Sequence, residues 1–163
     1  LFEVNLVRRH HSRAAGAGLM QYFFDTSAVV KIYHQEMGSD RILPLYQGGE
    51  AIVISELSKV EFVSTIHKKL RTGEITADTL DAVKNRFFAD CSGRFVVIHV
   101  ASFIVDATLD IMNTHGRANH LFSLDALQIA TLSIIAEKDT TFVCADKRLT
   151  ALVRTIGTPV LEL

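Results

Sequence analysis

The chain has 163 residues, 48% of them apolar, enough to bury a core without disulfides or a structural metal and far from the composition of a disordered chain. Its 17 basic and 18 acidic side chains leave a formal charge of −1, which offers no bulk attraction to polyanions, although a local basic rim would still supply one. Cys91 and Cys144 make neither a disulfide framework nor a zinc motif, so a reduced, cytoplasmic setting is expected, and no apolar run approaches the roughly 20 residues of a membrane helix.

Residues 1–19 place Arg8, Arg9 and Arg13 after a short apolar segment, the reverse of a signal peptide. They read as a non-native or upstream-translated extension, disordered and outside a single domain over 20–163, with Met20 the natural start. The rival reading is a basic arm that touches a polyanion.

From Met20 onward, apolar runs alternate with helical periodicity. "QYFFD" reads as a short buried strand, 27–35 as a helix, and 40–46 as a second short helix closed by Gly48-Gly49. "AIVIS" (51–55) is a β-branched strand. A helix over 58–71 follows, with Val60, Val63, Ile66 and Leu70 expected to face inward. Thr76 is placed to cap a helix over 76–90 that carries Leu80, Val83, Phe87 and Phe88. "FVVIHV" (95–100) is a strand, 102–114 a helix with Ile104, Ala107, Ile111 and Met112 inward, and 123–137 a nearly all-apolar helix. "TTFVCAD" (140–146) is a strand, 147–156 a helix, and "PVLEL" a last strand. Continuous apolar strands alternating with helices predict a three-layer α/β/α sandwich around a mostly parallel sheet.

In such sheets ligands bind beyond the carboxyl ends of the strands. Four acids fall at that edge in apolar contexts: Asp25 after the first strand, Glu61 in the helix after the second, Asp125 at the start of "SLDALQIATLSII", and Asp146 after "TTFVCA". Each also has an ordinary reading. Asp25 and Asp146 would serve as helix caps, Asp125 as a first-turn acid behind a Ser123 cap, and Ser58-Lys-Val-Glu61 as a capping box. Caps do not explain why all four should gather at one edge. Two carboxylates about 5 Å apart repel by roughly 3 kcal/mol at an effective dielectric of 20. A pocket of four therefore holds protons or a cation, and oxygen-only donors suit Mg²⁺ or Mn²⁺. Such an ion serves phosphoryl chemistry.

The blocks "FFDTSAVVKIYHQE", "ISELSKVEFVSTIHKK", "HLFSLDALQIATL" and "TFVCADKRLTAL", in this order and spacing, resemble the signature blocks of PIN-domain nucleases, and in length the compact VapC-type toxins. The resemblance implies a metal-dependent endoribonuclease acting on single-stranded or looped RNA, the toxin of a toxin–antitoxin pair. Asp25, Glu61, Asp125 and Asp146 would be the catalytic, metal-holding acids, and Ser27 the hydroxyl supporting them. A Mg²⁺ or Mn²⁺ cofactor, an antitoxin protein and a homodimer are implied with it. Cys144 stands where the family often has a small or hydroxyl residue, and is expected not to touch the acids.

Other readings remain. A histidine-based nuclease would draw on residues such as His67, His115 or His120, none at a telling spacing. Lys31, Lys68, Lys69, Arg71, Lys147 and Arg148 either form a basic rim for a phosphate backbone or lie on solvated helix faces. A PIN-like binding module without catalysis is one alternative function. An α/β phosphotransferase or phosphatase is another, although Ser27 stands where a phosphoaspartate phosphatase has its second Asp.

Overall fold

Five short strands carry the alternation on which the architecture rests. In the computed structural model, which describes residues 20–136 and 139–163, these are β1 (Gln21–Phe24), β2 (Ala51–Ser55), β3 (Phe95–Ile98), β4 (Thr140–Cys144) and β5 (Val160–Glu162). Residues 1–19, read above as a disordered extension, lie outside the described residues. All strand pairs are parallel, and the spatial order is β3-β2-β1-β4-β5.

Successive residues of a strand point to opposite faces, and here each face has its own apolar cluster. Phe24, Ile52, Ile54 and Val143 face one side, where they meet α1 (Thr26–Tyr33), α2 (Ser39–Gln47), α3 (Leu57–Arg71) and α4 (Ala77–Gly93). Phe23, Val53, Phe142 and Cys144 face the other, against α5 (Ser102–His115), α6 (Ser123–Ile135) and α7 (Lys147–Thr155). The sandwich is therefore three-layered, with a sheet fully parallel among the described residues. No described helix is long and apolar enough to cross a membrane.

Two expectations about α3 fail: Val60 as an inward residue, and the capping box. Its inward row is Ser58, Phe62 and Ile66, each fully buried, while Val60 is 69% exposed. Two residues along a helix turn about 200° around it, so once Phe62 faces the sheet, Val60 faces water. The capping box also does not form, because the helix starts at Leu57 with Glu56 in the cap position and no side-chain cap bond. Ser58 and Glu61 lie inside the helix and turn to other partners. Likewise Phe122, not Ser123, precedes α6 without a side-chain cap. Thr76 does cap α4, accepting from the Thr79 N–H. Beside buried Phe87, Phe88 is left 41% exposed.

Candidate active site

The chain runs outward from β1 through β2 to β3, then crosses back to place β4 on the other side of β1. The resulting crevice at the carboxyl ends of β1 and β4 is the switch point at which open α/β sheets bind ligands. Asp25 leaves β1 there and caps α1, its Oδ2 accepting the Ser27 N–H at 3.0 Å. Asp146 follows β4 and caps α7, its Oδ1 accepting from the N–H groups of Arg148 (2.8 Å) and Leu149 (3.1 Å). Glu61 comes from α3 and Asp125 from the first turn of α6. All four acids, together with Ser27, line one pocket of about 370 Å³. Capping and pocket lining thus coexist in Asp25 and Asp146.

Glu61 sits in a buried polar knot that crosses three helices. Its Oε2 accepts from the Thr26 hydroxyl at 2.5 Å and from Gln128 Nε2 at 2.9 Å. Gln128 Nε2 is also within reach of Thr26 Oγ1 and Ser58 Oγ, at 3.1 and 3.3 Å. Burial raises the Glu61 carboxyl above the usual range against the pull of Thr26 and Gln128, and the charges of Asp25 and Asp125 add to the rise. Gln128 is 1% exposed, and its Oε1 has no partner among the described residues. Sequence reasoning passed over Gln128. The available signal was an amide inside an otherwise apolar helical run.

Arg148 joins the other two acids. Its Nη2 donates to Asp125 Oδ2 at 2.8 Å and to Asp146 Oδ2 at 3.1 Å. The guanidinium lies 4.9 Å from the centre of the Phe122 ring and donates through Nη1 to the His120 carbonyl. Burial raises Asp125 despite Arg148 and the Phe122 N–H, with Asp146 and Asp25 adding to the rise. For Asp146, burial is outweighed by the N–H groups of Leu149 and Arg148 and by the Arg148 guanidinium, so its carboxyl lies below the usual range.

The expectation that Cys144 stays clear of the acids is wrong. Its thiol donates to Asp25 Oδ2 at 3.4 Å, and its sulfur accepts the Asp146 N–H at 3.3 Å. Cys144 ends β4 next to Val143, which pairs with Phe24, the last residue of β1, so parallel pairing brings it to Asp25 across 119 residues of sequence. Burial, then the Asp25 charge, push the thiol pKa well up, so it remains a donor. Ser27 completes this contact: its hydroxyl accepts the Ala145 N–H at 3.0 Å and so ties α1 to the end of β4.

Of the basic residues considered for a rim, Lys31 and Lys69 line the pocket, as does Glu36. Glu36 takes both ammonium groups, Lys31 at 2.7 Å and Lys69 at 3.1 Å. Burial pushes Glu36 up, but the two lysines outweigh it and hold the carboxyl below its usual range. Lys31 is 7% exposed, so Glu36→Gln would strand a buried cation and is expected to cost on the order of 2 kcal/mol at neutral pH. A depressed folded pKa stabilises fully above the unfolded value of about 4.3 and is lost as pH falls through the folded one. Urea melts at pH 7 and pH 3 should therefore show a clear gap between wild type and variant that closes in acid. A gap of equal size at both pH values would exclude this role.

The pocket is lined by no histidine among the described residues, which removes the geometric basis for a histidine-based reaction there. Its acids offer hard oxygen donors of the kind Mg²⁺ and Mn²⁺ take. Burial is the first cause of the raised Glu61 and Asp125 carboxyls, and the neighbouring carboxylates add to the rise. By donor chemistry and charge, the set suits a divalent cation. In spacing it is not closed: among the described residues no three His, Cys, Asp or Glu side chains already stand as a metal cluster.

A family model, the PIN domain, matches residues 22–154. Several solved structures share the fold. VapBC2 from Rickettsia felis, bound to a DNA fragment from their promoter, is 13% identical over 88% of this chain and 99% of that one, with a TM-score of 0.63. FitAcB from Neisseria gonorrhoeae is 13% identical over 86% of this chain and 96% of that one, at 0.64. VapC20 from Mycobacterium tuberculosis, a Sarcin-Ricin loop cleaving toxin, is 14% identical over 80% of this chain and 94% of that one, at 0.62. No curated protein sequence matches the chain.

Proposed function

The chain belongs to the PIN-domain family, and from that premise we propose that it is a metal-dependent endoribonuclease, the toxin of a toxin–antitoxin pair. The observation that carries the reading is the pocket at the β1/β4 switch point, which Asp25, Glu61, Asp125 and Asp146 all line. VapC20, similar in fold, is described as a Sarcin-Ricin loop cleaving toxin, and another structure of the same fold is a toxin–antitoxin complex from Klebsiella pneumoniae. These likenesses support RNA as substrate and an antitoxin as partner, with a homodimer the expected assembly.

Asp25, Asp125 and Asp146 would hold Mg²⁺ or Mn²⁺. Such an ion supplies positive charge to the attacking water and to the leaving oxygen during in-line displacement at phosphorus. Glu61 orients the attacking water. Its Oε2 is pinned by Thr26 and Gln128, so its Oε1 is the oxygen left to receive a proton. The Ser27 N–H and the Cys144 thiol both fix the Asp25 carboxylate through Oδ2. With the 3′-oxygen as leaving group, hydrolysis by water leaves a 5′-phosphate and a 3′-hydroxyl.

End-group analysis of cleaved RNA, with and without EDTA, tests this. Cyclic-phosphate ends, or cleavage that survives EDTA, would overturn the mechanism. One observation favours a second reading, a binding module without catalysis: Arg148 already forms ion pairs with two of the four acids. That reading predicts RNA retention without cleavage in millimolar Mn²⁺.

A further inference from the structure

Arg148 occupies oxygens that a metal ion would need. Both Asp146 cap bonds, from the N–H groups of residues 148 and 149, go to Oδ1. Among the described residues, Oδ2 of Asp146 is turned instead to Arg148 Nη2. The same nitrogen holds Asp125 Oδ2. One guanidinium nitrogen thus spans the two carboxylates that face each other between α6 and α7.

We propose that Arg148 is a resident counter-ion at Asp125 and Asp146, and that a divalent cation entering the pocket must displace its guanidinium from them. The inference rests on the metal-dependent reading above and specifies how that metal is admitted. Three features make displacement feasible. The contact is through a single nitrogen rather than the two-nitrogen fork that gives arginine–carboxylate pairs their extra strength. The Arg148 side chain is 37% exposed, so it has solvent to move into. It also rests over the Phe122 ring, itself 67% exposed, and this cation–π contact does not depend on the acids.

Charge drives the exchange. With Arg148 in place, the two carboxylates and the guanidinium sum to one negative charge. A divalent ion added without displacement would instead stand beside a second cation. Once released, the guanidinium can keep its contact with the Phe122 ring, three residues from Asp125, where a phosphodiester would bring the next negative charge.

The test is Mn²⁺ binding to the full chain without RNA, read by electron paramagnetic resonance of the free ion. Arg148→Ala is expected to bind Mn²⁺ at least about tenfold more tightly than wild type, the scale on which groups contacting metal ligands tune affinity. Arg148→Lys, which keeps a cation, should fall between them. Equal or weaker binding by Arg148→Ala, with wild type still binding, overturns the displacement and leaves the metal reading standing. No binding by any of the three at millimolar Mn²⁺ overturns both. Should Arg148→Ala fail to fold, the wild-type protein decides: saturating Mg²⁺ must shift the Arg148 Nε–Hε resonance, and an unmoved resonance on metal binding rejects the proposal.

Discussion

Asp25→Asn is expected to yield a folded protein whose RNA cleavage falls by more than about 100-fold, beyond the 10–100-fold that loss of a group supporting a metal ligand costs. Asparagine is as good an N-cap as aspartate, and its side-chain oxygen would still accept the Ser27 N–H that Asp25 accepts now. The substitution therefore removes the charge and keeps the cap. Asp25→Ala removes both and should lose about 1 kcal/mol of stability in addition. Initial cleavage rates in Mn²⁺, paired with thermal melts, separate the two roles. Full activity of a well-folded Asp25→Asn protein would mean that Asp25 is only a cap.

The second large effect concerns the support of the pocket. Phe62 is fully buried one residue from Glu61. Its ring stacks on Phe87 with centroids 4.0 Å apart and meets Tyr33 edge-on at 5.3 Å. Phe62→Ala is expected to cost about 3–5 kcal/mol, which for a domain of this size lowers Tm by roughly 10 °C. Val60→Ala, on the exposed face of the same helix, should stay within about 0.5 kcal/mol of wild type. Urea denaturation of the pair checks both. A Val60→Ala cost equal to that of Phe62→Ala would contradict the helix orientation described above.

That contrast shows where the sequence stops being informative. The strand expected at 51–55 is β2 as folded, and the one expected at 140–146 is β4, which ends two residues earlier at Cys144. A parallel strand covered on both faces must be apolar throughout, and this pattern is readable without coordinates. Helix caps are equally local. Asp25, Thr76 and Asp146 each bond an N–H two or three residues away, so the bonds that form are local, although the caps expected at Ser58 and Ser123 do not form. Four acids at strand ends and helix starts could be picked out because the topology of an α/β sheet sends those positions to one edge.

Side-chain partners across the sheet could not be foreseen in the same way. Val60 and Phe62 both suit a helix face, and packing against Phe87, 25 residues further along, settles which one is buried. The Ser58–Glu61 spacing fits a local cap, yet both residues turn to Thr26 and Gln128, which belong to other helices. Cys144 reaches Asp25 only because β1 and β4 are neighbours. Arg148 reaches Asp125 because α6 and α7 share one face of the sheet. Local bonding and hydrophobic period are written along the chain, so the strands, three of the caps and the four acids follow from it. The partners of those acids depend on distances between elements far apart in sequence, and these exist only once the sheet has closed its register.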